Sequence, residues 1–186
     1  MKSTLLRNKN KKGFSLLELL LVLGIIAALV VGAFIVYPKV QASQRSEAES
    51  KNLATIQAGV KSLYTSASSF SGLTNTVAVG AKVFPDNMLI GTGTSASVVN
   101  TFKGTVTLAS AATGPSSTAG SSFTITYNNV PAAECTKIVS ATAANFYTVA
   151  VGSTTVLAAG GSLDVASTAS ACNTGGNSNT LVFTSI

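Results

Sequence analysis

Few side chains in this sequence could do chemistry, and their types exclude most catalytic mechanisms. The 186 residues contain no histidine, which excludes Ser-His-Asp and Cys-His nucleophiles and histidine-ligated metal sites. Six carboxylates spread along the chain offer little for paired acid–base catalysis or an oxygen-lined cation site. What remains is Glu18, at the start of an apolar run, and the thiols Cys135 and Cys172. We therefore expect no enzymatic activity, no metal and no cofactor.

The apolar run is the strongest physical signal in the chain. Leu19–Tyr37 is 19 residues long and uncharged, and Pro38 and Lys39 follow it. About 20 apolar helical residues span the ~30 Å hydrocarbon core of a bilayer, so the run predicts a membrane-spanning helix. Five basic residues precede the run and place the amino terminus in the cytoplasm: Lys2, Arg7, Lys9, Lys11 and Lys12.

Two questions about this segment are open on physical grounds: whether it is a secretory signal peptide, and whether Glu18 has a function. A secretory signal peptide also joins a basic start to an apolar stretch, but that stretch is usually only ~7–15 residues long. Glu18 could have a function, because a carboxylate near the centre of a bilayer costs roughly 2.5–3.5 kcal/mol. It could equally sit at the level of the lipid headgroups.

The residues around Glu18 resemble a known processing signal. Lys11-Lys12-Gly13-Phe14-Ser15-Leu16-Leu17-Glu18, followed by the apolar run, is similar to the class III signal of type IV prepilins and pseudopilins. The resemblance implies that a prepilin peptidase cuts between Gly13 and Phe14 and methylates the new amine of Phe14. It also implies that Glu18 pairs with the terminal amine of a neighbouring subunit during assembly.

The helical pattern continues beyond the membrane. Pro38 should kink the helix without ending it, and an apolar stripe follows in residues 39–64: Leu53, Ile56, Val60, Leu63 and Tyr64. We expect this stripe to pack on a sheet and the charged residues beside it to face solvent or neighbouring subunits: Arg45, Glu47, Glu49 and Lys51. Gly24, Gly32 and Pro38 are weak points of the helix. They indicate either local unwinding in a filament or close packing of helices in the membrane.

Residues 65–186 predict a separate head. Short segments rich in β-formers are separated by glycine and asparagine, which indicates strands and turns: 105–108, 123–127, 146–151, 154–158 and 180–184. A helix should begin at Pro131, with Cys135, Ile138, Val139 and Thr142 on one face. Disorder is the alternative for the Ser/Thr-rich segments 66–71 and 109–122. The fold class expected is α+β, with a long amino-terminal α-helix packed on an antiparallel β-sheet.

Two cysteines are the number that one disulfide needs. Cys135 and Cys172 lie in the part of the chain expected outside the cytoplasm, where oxidation is the default, so we predict that they pair. Two buried thiols are the alternative. The helix that carries Cys135 and the tail after Cys172 resemble those of type IVb pilins, as do residues 52–57. Phe14 as the first mature residue is more usual in type IVa.

The sequence thus divides into a leader (1–13), a membrane and assembly helix (14–38), an amphipathic helical half (39–64) and a head (65–186). The resemblance implies a precursor with one pass through the inner membrane and then an extracellular pilus on the cell surface. Its expected partners are other copies of itself, the prepilin peptidase and the inner-membrane assembly machinery. The alternatives are a pseudopilin of a secretion system and a monomeric, membrane-anchored binding domain. Nucleic acid is not an expected partner, because the body of the chain is nearly neutral.

Overall fold

One long helix dominates the first third of the chain. The computed structural model describes residues 13–186, so the predicted leader lies outside the described residues except for Gly13. Helix α1 spans Leu16–Leu63, 48 residues or about 72 Å at 1.5 Å per residue. It continues through Gly24, Gly32 and Pro38, so the proline does not end the helix. The described residues separate into two units, residues 13–40 and Gln41–Ile186.

The second unit combines the end of α1 with three short helices and seven strands. In chain order these are α2 (Asn75–Gly80), β1 (Leu89–Ile90), β2 (Ser97–Val98), β3 (Val106–Ala111), β4 (Ser122–Val130), α3 (Ala132–Thr142), β5 (Thr148–Val151), β6 (Thr154–Leu157), α4 (Val165–Thr174) and β7 (Asn179–Ser185). Strands β1 and β2 form a small separate pair. The other five form an antiparallel sheet in the order β3-β4-β7-β5-β6. The last strand of the chain therefore lies at the centre of the sheet.

The core lies between the second half of α1 and one face of this sheet. Leu53, Ile56 and Val60 of the predicted stripe are buried with the inward residues of the strands, among them Phe123, Tyr127 and Phe183. Gln57 also ties α1 to the sheet, since its Nε2 donates to the backbone oxygen of Asn145 at 2.7 Å and to Ser185 Oγ at 2.9 Å. The predicted packing of a long helix on an antiparallel sheet is confirmed. Tyr64 of the predicted stripe is half-buried against this core, whereas Leu63 is 42% exposed and departs from the prediction.

Each of the five predicted strand segments forms a strand, with ends that differ by at most three residues from those predicted. The predicted helix at Pro131 is α3. Part of the segment 109–122 is ordered in the sheet, because β3 extends to Ala111 and β4 starts at Ser122. Helices α2 and α4 were not predicted. Both begin with side-chain caps, where Thr74 accepts from Val77 N–H and Asp164 accepts from Ser167 N–H.

Candidate functional site

The predicted processing site lies just before the first turn of α1. Gly13 and Phe14 precede the helix in irregular, exposed backbone, and the Phe14 side chain is 86% exposed. Glu18 lies in the first turn of α1, where a negative charge interacts favourably with the helix dipole. Phe14 and Glu18 are thus four residues apart, which is about one helical turn. The peptide bond predicted to be cut and the acidic side chain thus both lie at the amino-terminal end of α1.

The first half of α1 presents an apolar surface on all sides. Its large hydrophobic side chains are 46–76% exposed within the described chain. An 18-residue window of this helix has a mean hydropathy of 3.2 with none of it buried, so the helix is long and apolar enough to cross a membrane. Exposed apolar surface of this extent marks an interaction site for lipid or for other helices.

Gly24 and Gly32 lie on this surface. A Cβ atom at either position would meet nothing within 4 Å in the described chain. The fold of one subunit therefore does not require glycine at these positions. The sequence expectation that these glycines serve close helix packing or local unwinding stays a prediction.

The second half of α1 carries a buried carboxylate, Glu49. Glu49 is 1% exposed and points into the head, which contradicts the expectation that it faces solvent. One of its oxygens, Oε1, accepts a hydrogen bond from the backbone N–H of Thr101 at 2.6 Å and a second from the Thr101 hydroxyl. Asn52 Nδ2 donates to Oε2 at 3.4 Å. These hydrogen bonds offset the cost of burying a charge.

The loop that Glu49 contacts, residues 100–104, also has internal hydrogen bonds. Asn100 is buried, its Oδ1 accepts from the backbone N–H groups of Phe102 and Gly104, and its Nδ2 donates to the backbone oxygen of Asn128 at 2.7 Å. Gly104 is required at its position, because a Cβ atom there would lie 1.7 Å from the same oxygen of Asn128. Glu49 and Asn100 together fix residues 100–104 between α1 and the sheet.

Tyr127 completes this buried polar cluster. Its ring is in the core and, among the described residues, its hydroxyl has no partner with hydrogen-bond geometry. Burial, and after it the negative charge of Glu49, raises the pKa of Tyr127 well above its usual value. Tyr127 therefore stays neutral over the physiological pH range.

We expect Glu49→Ala to lower the free energy of unfolding of the head by about 2–3 kcal/mol, because it removes the hydrogen bonds that Thr101 donates to a buried, charged acceptor. Chemical denaturation of the purified protein measures this. The matched control is Glu47→Ala, since Glu47 is 69% exposed and pairs with Lys51 at 2.9 Å on the surface of the helix. That control should change stability by less than about 0.5 kcal/mol. Equal effects of the two substitutions would show that the hydrogen bonds of Glu49 do not stabilise the head.

The structure brings the two cysteines together. Cys135 in α3 and Cys172 in α4 form a disulfide that closes a separation of 37 residues, and both are fully buried. Asn179, at the start of β7, fixes the end of α4 by donating to the backbone oxygens of Cys172, Gly176 and Val130 at 2.9–3.1 Å. The disulfide and Asn179 together attach α4 to α3 and to the centre of the sheet.

Other chemistry finds no support in the described residues. Residues 13–186 contain no group of three Cys, Asp or Glu side chains that could hold a metal ion. Asp164 is exposed and caps α4, and hydrogen bonds from the Ser167 hydroxyl and backbone N–H lower its pKa. Its chemistry is that of a helix cap.

The architecture is similar to solved pilins. TcpA, a type IV pilin from Vibrio cholerae El Tor biotype, superposes with a TM-score of 0.57 at 16% identity, over 77% of this chain and 99% of TcpA. The type IVb pilin from Salmonella typhi gives 0.58 at 19% identity, over 74% and 97%. A long helix with an uncovered apolar first half and a second half packed on an antiparallel sheet is thus the fold of a type IV pilin.

The sequence itself matches two family descriptions. Residues 43–186 match PilS N terminal, and residues 8–34 match the prokaryotic N-terminal methylation motif. The chain belongs to the PilS family. It is 29% identical over 87 residues to the major structural subunit of bundle-forming pilus from Escherichia coli O127:H6 and to that from O111:H-. This match spans 47% of the chain and less than half (45%) of each relative.

Proposed function

We propose that this protein is the structural subunit of a type IV pilus, which polymerises through α1 into an extracellular filament. The observation that carries the proposal is the first half of α1, a helix with apolar side chains exposed on all sides and Glu18 in its first turn. Such a surface is stable only in lipid or against other helices. A subunit held first in the membrane and then in a bundle of identical helices provides both environments.

Processing of the amino terminus prepares the subunit to pass from the membrane into the filament. The prepilin peptidase cuts between Gly13 and Phe14, removes residues 1–13 and methylates the amine of Phe14. The exposed, irregular backbone at this bond suits a protease, since helical backbone is less accessible to cleavage. Before assembly the chain crosses the inner membrane once, with its amino terminus in the cytoplasm and its head outside.

The carboxylate of Glu18 and the amine of Phe14 set the axial position of each subunit relative to the next in the filament. A terminal amine has a reference pKa of ~7.7–8.0 and is largely cationic at neutral pH. Each charge is costly in an apolar surrounding, and their attraction there is stronger than in water. Pairing Glu18 of one subunit with the amine of the next removes both costs at one axial position. The role of the chain is structural, and the biological use of the filament depends on other proteins.

Mass spectrometry of protein sheared from the cell surface, with and without reduction, tests this proposal. We expect a chain that begins at Phe14, is heavier by one methyl group, and carries one disulfide. A chain that still begins at Met1, or that is cut after the apolar run and released into the medium, would contradict the pilin assignment. A processed chain confined to membranes would indicate a pseudopilin.

A further inference from the structure

Strand β3 is an edge strand of the five-stranded sheet, and the side chain of Asn75 binds the side of β3 that faces away from β4. Asn75 Oδ1 accepts a hydrogen bond from the backbone N–H of Leu108 at 2.6 Å. Asn75 Nδ2 donates to the backbone oxygen of Val106 at 2.8 Å. The C=O and N–H of one residue in a parallel neighbouring strand would bind the same two groups. The amide of Asn75 thus takes the place of a further strand.

Helix α2 holds Asn75 beside β3. Asn75 is the first residue of this helix, and the preceding residue, Thr74, caps it by accepting from the backbone N–H of Val77. Two residues of α2, Ala78 and Val79, are buried in the core of the head. The helix has only six residues, far fewer than an isolated helix needs to be stable in water. Its place beside β3 therefore depends on these two apolar residues and on the hydrogen bonds of Asn75.

The residues of β3 favour pairing with another strand. Val106–Ala111 contains no charged residue and no proline, which are the residues by which edge strands usually resist pairing. The side chains of Val106 and Leu108 are buried, whereas those of Thr107 and Ala109 are exposed. Uncharged strands with this alternation add readily to one another when their backbone groups are accessible. Protection of this edge therefore comes from Asn75 and α2, since nothing in β3 itself repels a second strand.

The backbone of β3 is complementary to a second copy of itself. The bonds to Asn75 show that backbone groups of Val106 and Leu108 point away from β4. The alternation of a strand directs the backbone groups of Ser110 the same way. A second β3 that runs antiparallel to the first about Leu108 sets Leu108 opposite Leu108 and Val106 opposite Ser110. Each outward N–H then faces an outward C=O, as in an isologous dimer contact.

We propose that the edge of β3 is a strand-addition site for the β3 edge of a second copy of this chain, and that Asn75 keeps this site closed. The inference concerns the head alone and does not depend on the proposed function. In the unmodified chain the Asn75 amide occupies backbone groups that the second strand would bind, and α2 lies beside them, so two heads do not pair. Self-association of the chain is then left to other surfaces, such as the apolar half of α1.

Asn75→Ala tests the proposal, because it removes both hydrogen bonds to β3. We expect α2 to open about 30-fold more often, a factor that corresponds to two hydrogen bonds of ordinary strength. In dilute protein, hydrogen exchange at the amide of Leu108 should accelerate by about that factor. In concentrated full-length protein in detergent, the dimer fraction measured by light scattering should rise. The control is Asn87→Ala, at an exposed asparagine of the same head, which should change neither measurement.

A proline on the same edge separates strand pairing from a general loss of structure. Ser110→Pro removes an N–H that points away from β4, and proline is tolerated on that side of an edge strand. In the double variant Asn75→Ala/Ser110→Pro the added dimer should disappear, whereas exchange at Leu108 should stay fast because α2 still opens. Asn75→Asp keeps the acceptor for the Leu108 N–H and loses the donor. It should shift both measurements less and in the same direction, and it replaces Asn75→Ala if that chain does not fold.

Three results would overturn the inference. Unchanged exchange at Leu108 in Asn75→Ala would show that Asn75 does not keep the edge closed. Fast exchange without added dimer would show that the open edge does not bind a second copy. Added dimer that persists with Ser110→Pro would show that the association does not use β3. A chain that forms no pilus would contradict the proposed function and leave each of these measurements unaffected.

Discussion

Cells that produce the Glu18→Ala chain should hold processed protein in the membrane and display no filaments. In the proposed filament, the substitution removes the carboxylate that would neutralise the terminal amine of the adjacent subunit. The amine would then enter the helical bundle without a partner, at a cost on the order of 2.5–3.5 kcal/mol per subunit. That cost makes each addition step about 100-fold less favourable. Electron microscopy of whole cells and immunoblots of sheared and membrane fractions measure the effect.

The control for Glu18→Ala is Glu47→Ala, which removes an exposed carboxylate from the same helix and should leave filaments unchanged. Glu18→Gln keeps the size of the side chain and loses its charge, so it should resemble Glu18→Ala if charge pairing is the function. Normal filaments from both Glu18 variants would contradict this role. They would favour a protein that uses the apolar helix only as an anchor.

Removal of the disulfide should have the largest effect on the stability of the head. Replacing both cysteines by alanine opens a loop of 37 residues, which costs about 4 kcal/mol in the chain-entropy description. Alanine is preferred to serine here, because both positions are fully buried and a hydroxyl would need a hydrogen-bond partner. Chemical denaturation under non-reducing conditions measures the loss.

Reductant provides the control for this prediction. The unmodified protein should lose a similar stability when it is reduced, whereas the double alanine variant should not respond to reductant. An unmodified protein equally stable with and without reductant would show that the bond contributes little to the folded state. The disulfide and Asn179 both attach α4 to the rest of the head, and reduction removes the first of these attachments. The reduced head should therefore lose α4 before it loses the central strands.

The predictable part of this fold is the part whose physical cause is local. The spacing of Leu53, Ile56 and Val60 predicts a helix with one buried stripe, and alternation in segments such as 123–127 predicts strands. Helices α2 and α4 were missed because their sequences, rich in Ser, Thr, Ala and Gly, have weak periodicity. Their caps at Thr74 and Asp164 are the local signals that could have identified them.

Glu49 shows where local reasoning fails. It lies four residues before Leu53, on the line of the buried stripe, yet its charge favoured an exposed position. Its hydrogen-bond donor, the backbone N–H of Thr101, is 52 residues away in the sequence. A carboxylate can be buried only where such donors converge, and nothing in the neighbourhood of Glu49 indicates that they do.

The sequence by itself determined the features that depend on neighbouring residues: the Gly13-Phe14 junction, Glu18 at the head of an uncharged run, the long helix and the count of two cysteines. Only the tertiary structure decided the inward direction of Glu49 and the central place of β7. The physical reason is that strand order and register join residues far apart in the chain, such as Thr107 and Thr126 with Val182. Local spacing fixes which side of a strand a residue occupies, and the packing of the whole head decides what that side meets.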